Sequence, residues 1–550
     1  MRRGRSATGR RALAVEGVVA LSALLAILLF LPVQRGALLS DDYSLMFAFH
    51  GAGTATELAT RVAQTFVQGV GAPSLQYRPV TMATFAFNVA RGDADPLHWH
   101  AVSLLLHAAN AALLAALVLR VQRGATGARA AALTAGLALA LFPPAVEAVA
   151  WPAARFDALA LFFVLAAARL AASSERALDG PALAALGAFA LALGSKEAGI
   201  LALPLAGALL WQREARARGV VHGAFAALPA LLPWLAVAAA YFALRAAIFG
   251  DAVRFFPGAS PMDALASGAF LDNAAAIAAW WPQAFPEADL SPWFLGAAAV
   301  LAVLGVRASL AERERAAEFV PLAAAAAAAF TILSAQWHWP AHGEGARVLY
   351  AVGAIAIAAL VVPLRAASAA ARRVALLAAA VMIVAGGGLA HGAVARWADA
   401  GASMRALIEA IERTAAALPA GEYAFVVAPD HVGPVPFARN AQAALLMPPV
   451  QPRELSSRIL VQVVPELGQW TDLIPRDVIG RLTREPLIDV IRTLHGPQVA
   501  PPYRLPDRWF CWRPRERVLQ PVALAVAADL HDWDAAWRRA LDGPCAGLQQ

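Results

Sequence analysis

The sequence predicts a mostly α-helical, polytopic membrane helix bundle of about eleven transmembrane helices, followed by a small C-terminal α/β domain. Three observations lead there. Hydrophobic residues make up 60% of the 550 residues and charged ones only 15%, with a mean hydropathy of +0.58. Long apolar runs recur as far as residue 395, and arginines collect in alternate connections between them. A soluble globular chain carries about 25% charged residues, so soluble-enzyme readings are excluded for most of the length. The formal charge of +7 does not point to nucleic acid, because the arginines flank apolar segments as they do in membrane loops. Lys196 is the one lysine of the chain.

Crossing the hydrocarbon core takes roughly 17 to 25 apolar residues in a helix, since lipid offers no partner to an unpaired backbone group. Windows that qualify or come close run from Gly17 to Val33, His98 to Leu119, Ala130 to Phe142, Ala158 to Ala172, Pro181 to Gly194 and Ala198 to Trp211. Five more run from Ala224 to Ile248, Trp293 to Val306, Val320 to Ser334, Val348 to Leu364 and Val374 to Leu389. Arginine in short loops is retained on the cytoplasmic side. The N-terminus carries Arg2, Arg3, Arg5, Arg10 and Arg11, and the even-numbered connections hold Arg120, Arg123 and Arg129, then Arg213, Arg216 and Arg218, then Arg307, Arg313 and Arg315, then Arg365, Arg372 and Arg373. The opposite connections are acidic, with Asp41, Asp42, Asp93 and Asp95 in the first of them. The expectation is a cytoplasmic N-terminus, an uncleaved first span, and an exterior, periplasmic tail on an integral protein of a bacterial inner membrane. Domain boundaries follow as 1–395 for the membrane part and 396–550 for the exterior part. In the latter, Met404 to Leu418 has helical periodicity, and Tyr423 to Ala428 and Ile459 to Val464 read as strands. Cys511 and Cys545 both fall there, where oxidising conditions permit a disulfide; a free pair is the alternative.

Against this apolar background the ionisable residues stand out. Ser40-Asp41-Asp42-Tyr43 places two carboxylates beyond the first span, able to act as a general base or to hold a divalent cation, or else simply solvated. Gln76-Tyr77-Arg78-Pro79 follows, then His98, His100, His107 and Asn110 on the second span. His107 and Asn110 share a helix face, fit for interhelical hydrogen bonding or for binding. Glu147 through Trp151, then Arg155-Phe156-Asp157, crowd charge into a short connection. Arg155 is either tied to Asp157 or presented to a phosphate. Ser195-Lys196-Glu197 sits at another helix junction, and Trp337-His338-Trp339, His342, Glu344, Arg347 and Tyr350 close the series.

Taken in order, Asp41-Asp42-Tyr43, Tyr77-Arg78-Pro79, His98 to Asn110, Glu147 to Trp151, Arg155-Phe156-Asp157, Ser195-Lys196-Glu197 and Arg347-Val348-Leu349-Tyr350 resemble the motif series of the integral-membrane GT-C glycosyltransferases. Within them the likeness is to bacterial relatives of the protein O-mannosyltransferases, including the branch whose spans precede tetratricopeptide repeats. The match runs from about Ser40 to about Tyr350. The resemblance implies a polyprenyl-phosphate-linked sugar as donor, a protein or glycan hydroxyl as acceptor, and transfer with inversion on the exterior face. Asp41 or Asp42 would be the base. Tyr77, Arg78, His107, Glu147, Arg155, Asp157, Lys196, Glu197, Arg347 and Tyr350 would bind substrate, with Arg155, Lys196, Arg347 and Arg78 as cations for the leaving phosphate. Apart from the divalent cation that the adjacent carboxylates could hold, no metal ligand set is expected, and the placement of the arginines beside apolar segments argues against a nucleic-acid partner. The chain departs from the family in having Phe142 and Ala145 where histidines are common, Ala346 where Glu precedes the last Arg, with Glu344 nearby, and no tetratricopeptide tail. A transporter or flippase of lipid-linked saccharides, or a polymerase or ligase of them, is the alternative class.

Overall fold

The computed structural model describes residues 3–69, 75–92, 94–122, 126–176, 178–254, 260–340, 343–365, 368–464, 507–522 and 545. Arg2, Asp93, Arg123 and His342 lie outside the described residues. Helices α1 (Arg3–Phe30), α2 (Asp41–Phe47), α3 (Ala55–Gln68), α4 (Pro79–Gly92), α5 (Pro96–Val121), α6 (Ala128–Ala140), α7 (Ala145–Ala150), α8 (Arg155–Ala171) and α9 (Gly180–Ser195) make up the first half. The second half comprises α10 (Ala202–Arg218), α11 (Val220–Phe249), α12 (Pro261–Ser267), α13 (Ala269–Ala284), α14 (Ser291–Ala311), α15 (Arg313–Gln336), α16 (Leu349–Leu360) and α17 (Ala369–Ala417).

All eleven apolar windows fall on helices. Among the described residues seven stretches are long and apolar enough to cross a membrane: Gly17–Arg35, Pro96–Val121, Val220–Phe249, Ser291–Ala311, Arg313–Gln336, Ala346–Arg365 and Ala369–Ala417. The other four windows lie on α6, α8, α9 and α10, helices of 13, 17, 16 and 17 residues. At 1.5 Å per residue these reach about 20–26 Å, short of a hydrocarbon core of about 30 Å. They are nevertheless integral to the bundle, since α8 packs on α5 and α9, α6 on α1 and α5, and α10 on α11 and α15. Small side chains permit these close approaches. Ala131, Ala132 and Ala135 of α6 are fully buried, and a methyl added to Gly136 would strike the Ser22 side chain. Large apolar side chains such as Leu24, Leu28, Leu232, Val303, Leu377 and Val384 face outward, as a lipid-facing surface requires.

The connections between windows sort to two ends. At one end Arg120 donates to the Ala172 carbonyl, Arg213 to that of Glu175, and Arg216 to that of Val121, while Arg365 and Arg315 pair with Glu318 at 2.7 and 3.2 Å. These residues all come from the even-numbered, arginine-bearing connections. The odd-numbered ones meet at the other end, as described below, so the chain alternates up and down as the arginine pattern anticipates.

The C-terminal part is built on α17, a single helix of 49 residues whose second half carries the buried residues Met404, Leu407 and Ile411. Position 395–396 thus lies inside one helix. Strands β1 (Ala424–Pro429), β2 (His431–Val432), β3 (Val435–Pro436), β4 (Ile459–Val464), β5 (Arg508–Arg513) and β6 (Val518–Val522) follow. A four-stranded sheet has the order β4-β1-β5-β6, with β1 parallel to β4 and β5 and β5 antiparallel to β6, while β2 and β3 form a separate hairpin. Every residue of the central β1 is buried, as expected of a parallel strand covered on both faces. Cys511 on β5 is disulfide-bonded to Cys545, with Cα atoms 5.7 Å apart.

Candidate functional site

The odd-numbered connections and the hairpin of the sheet-bearing part converge at one end of the bundle. Ser40, at φ 49°, turns the chain into α2 from a left-handed conformation that costs a non-glycine residue on the order of 1–3 kcal/mol. The two carboxylates that follow part company. Asp42 is fully buried, and its two oxygens accept the Leu39 and Ala153 amides at 2.9 and 2.6 Å. Burial raises its carboxyl to about 8, against the pull of those amide bonds. Asp41 stays half-buried and accepts the Asn440 side-chain amide at 2.6 Å. The adjacent pair therefore does not converge on a common point, and it does not fit a shared divalent cation. Among the described residues no group of three or more His, Cys, Asp or Glu is placed to hold a metal. An Asp42→Asn substitution places an NH2 against one of the two backbone N–H groups. It should destabilise the solubilised protein by about 1–3 kcal/mol, and an unchanged thermal midpoint would contradict this role.

Beyond Asp41 runs a row of alternating charges. Lys196 Nζ donates to both oxygens of Asp157, at 2.7 and 2.8 Å, and Arg347 Nε lies 3.9 Å from the same carboxylate. Arg347 bonds Glu147 through Nη1, which also reaches Glu344 at 3.5 Å. The guanidinium lies over the rings of Trp151 and Trp337, at 5.0 and 5.3 Å. Glu344 in turn accepts both Nη atoms of Arg439, at 3.1 and 2.8 Å. Glu344 thus reaches both Arg439 and, from three positions upstream, Arg347. At the near side Arg78 pairs with Glu197 in a two-pronged contact and lies over Phe156. Burial pushes the Glu197 carboxyl up, yet Arg78 and Lys196 bring it down to about 2. Burial also pulls the Lys196 ammonium below its ordinary value, with Asp157 opposing. The turn that carries Lys196 and Glu197 is closed by the Gly199 amide donating to the Lys196 carbonyl at 2.8 Å, and a methyl added to Gly199 would meet Ala192 backbone atoms at 2.3 and 2.4 Å.

Several of the residues that sequence points to are engaged elsewhere. Arg155, with no exposed surface, does not pair with Asp157. Its guanidinium donates to Asn88 Oδ1 at 2.6 Å, to the Trp99 carbonyl at 2.9 Å and to Thr84 Oγ1 at 3.2 Å, and it lies over Phe85, binding α4, α5 and α8 together. His107 Nε2 faces the Ala140 carbonyl at 3.1 Å and so carries the proton there. Its Nδ1 accepts the Tyr350 hydroxyl at 2.5 Å, to which Asn110 also donates at 3.3 Å. His107 and Tyr350 thus form interhelical hydrogen bonds inside the bundle. Tyr77 donates to the Phe66 carbonyl at 3.1 Å, and His338 contacts Asn273.

The sheet-bearing part brings in residues that the sequence reading passed over: His431, Arg439 and Asn440. His431 Nε2 lies 2.9 Å from Glu344, and Nδ1 lies 2.7 Å from Asp430. Burial alone would lower the imidazole, but the bonds with Asp430 and Glu344 raise it to about 9. The one sequence signal for this group is Asp430-His431 directly after β1, at the carboxyl end of a parallel strand, where sites in α/β sheets gather. Because the folded value is raised, the stability His431 contributes is complete below about pH 6.5 and is lost as pH rises through about 9. Protection from hydrogen exchange over 430–440, taken relative to the intrinsic base-catalysed rate at each pH, should fall across that window in the wild type and stay level in His431→Gln. Equal pH dependence in both would refute it.

No protein-family model matches the chain, and no curated protein matches it. Among solved structures it is similar to ArnT from Cupriavidus metallidurans bound to undecaprenyl phosphate, at 14% identity over 92% of this chain and 94% of that one, with a TM-score of 0.44. It is similar also to the apo state of that protein, at 13% identity over 87% and 92%, with a TM-score of 0.39.

Proposed function

We propose that this chain is a membrane glycosyltransferase that moves a sugar from a polyprenyl-phosphate donor to a hydroxyl acceptor on a protein or glycan. It would work at the exterior face of a bacterial inner membrane, with the N-terminus cytoplasmic and the sheet-bearing part periplasmic. The observation that carries the reading is the placement, at one end of an apolar bundle, of a half-buried carboxylate, Asp41, beside a row of cations: Arg439, Arg347 and Lys196, with Arg78 behind them. The ordered motifs from Ser40 to Tyr350 support the same reading.

Asp41 takes the proton of the acceptor hydroxyl as its oxygen attacks the anomeric carbon. The bond from that carbon to the phosphate oxygen breaks on the opposite side, and the lipid phosphate leaves with the electron pair, so the configuration inverts. Asp42 cannot serve as directly, since both its oxygens are held by backbone amides. Negative charge grows on the leaving phosphate, and fixed cations stabilise it best where water is scarce. A guanidinium carries five N–H donors, so Arg347 and Arg439 can share themselves between their carboxylates and a phosphate. Glu147, Asp157, Glu197 and Glu344 hold the cations in place before the lipid arrives.

The purified protein in proteoliposomes, given radiolabelled undecaprenyl-phosphate hexoses and a membrane extract as acceptor source, should release undecaprenyl phosphate in step with label transfer. Release of lipid phosphate with none of the tested donors, under conditions in which the protein stays folded, would count against the reading.

A further inference from the structure

The two adjacent carboxylates of α2 are held by different parts of the molecule. Asp42 is held from within the bundle, by the Leu39 and Ala153 amides. Asp41 is held from the sheet-bearing part, by Asn440 Nδ2 at 2.6 Å, across 399 positions of sequence. We propose that Asn440 is a positioning residue for Asp41, so that the segment Asp430–Asn440 of the C-terminal part is a working portion of the site and not an appended module. The proposal rests on the reading of Asp41 as the base.

Four features of the segment suit it to this task. Asn440 stands at φ 59°, a left-handed conformation that Asn tolerates better than most residues and that turns its amide back toward α2. Its backbone is pinned to the same helix, with Ser44 Oγ donating to the Asn440 carbonyl at 3.1 Å and the Ser40 amide donating to the Phe437 carbonyl at 2.8 Å. Phe437 and Ala438 are fully buried, and the Phe437 amide donates to the Asp430 carbonyl at 2.7 Å, which closes the segment into a loop with little freedom. The preceding residue, Arg439, grips Glu344 with both Nη atoms and feels the charge of Asp41. One short stretch therefore fixes the carboxylate at one end and the cation row at the other, and it sets their separation.

A carboxylate aimed by an amide donor transfers a proton efficiently only while its oxygen is held in line. Misplacement by about 1 Å can cost on the order of a hundredfold in rate. Asn440→Gly retains the left-handed backbone and removes the amide; Asn440→Asp retains the size and replaces the donor by a second carboxylate. In full-length protein in proteoliposomes, with undecaprenyl-phosphate hexose as donor, both variants should lose about 10- to 100-fold in kcat at unchanged KM for the lipid, with unchanged thermal midpoint for Asn440→Gly. Infrared difference spectra give a readout that needs no turnover: the carboxylate stretch absent from Asp41→Asn should be displaced in Asn440→Gly. An unmoved band, or wild-type kcat in Asn440→Gly, overturns the proposal, as does a loss that follows KM and thermal midpoint together. Full turnover in Asp41→Asn would remove the base itself, and with it the catalytic meaning of Asn440. Full turnover in Asn440→Gly beside an inactive Asp41→Asn would remove Asn440 alone.

Discussion

Asp41→Asn is expected to lower transfer by about 10²–10⁴-fold, the usual range for removing a general base, with no change in thermal midpoint. The substitution is nearly isosteric, and the side chain is half-buried and accepts a hydrogen bond from Asn440, so little of the fold depends on its charge. Asp42→Asn should show the reverse pattern in the thermal midpoint, because the Asp42 oxygens tie the segment before α2 to the turn Pro152–Ala154. Steady-state transfer and thermal denaturation measured on both variants separate the roles. A thermal loss in Asp41→Asn with activity retained would assign the two carboxylates the other way round.

Arg347→Met is the second large effect, expected to destabilise by about 3–5 kcal/mol and to abolish turnover. Arg347 stands among Glu147, Glu344 and Asp157, and Glu147 is almost wholly buried. Losing the guanidinium leaves like charges facing each other in a poorly hydrated place, a cost larger than the net value of the pairs themselves. Lysine should not rescue it, since a compact ammonium cannot straddle several carboxylates and lie between two tryptophans at once. The thermal midpoint of Arg347→Met/Glu147→Met checks the cause: removal of one buried charge with its partner should recover much of the loss. Equal destabilisation in the single and double variants would mean that packing on Trp151 and Trp337, and not charge, is what Arg347 supplies.

Much of the architecture was legible because it depends on local composition. Runs without charge fold as helices wherever they sit, and the windows from Gly17 to Leu389 all fall on helices. Tyr423 to Ala428 and Ile459 to Val464 read as strands, and β1 and β4 occupy nearly those positions. The continuity of α17 was hidden, because its composition changes from lipid-facing to ordinary part-way along while its backbone hydrogen bonding does not. The site was legible only as an inventory. Asp41, Arg78, Lys196, Glu197, Asp157, Glu147 and Arg347 stood out as charges in an apolar chain, but so did Arg155, which the fold commits to Thr84, Asn88 and Trp99.

The sequence by itself determined that this is a helical membrane bundle with alternating basic and acidic connections, since the cost of burying charge in lipid acts on each segment independently. Only the tertiary structure decided which charge meets which. It separated Asp41 from Asp42 by giving their oxygens different donors, withdrew His107 and Tyr350 into an interhelical hydrogen bond, and carried His431, Arg439 and Asn440 to the mouth of the bundle. Those pairings join residues up to 399 positions apart. A hydrogen bond or ion pair of that span depends on the packing of the whole chain and leaves no periodic trace in either of the segments it connects.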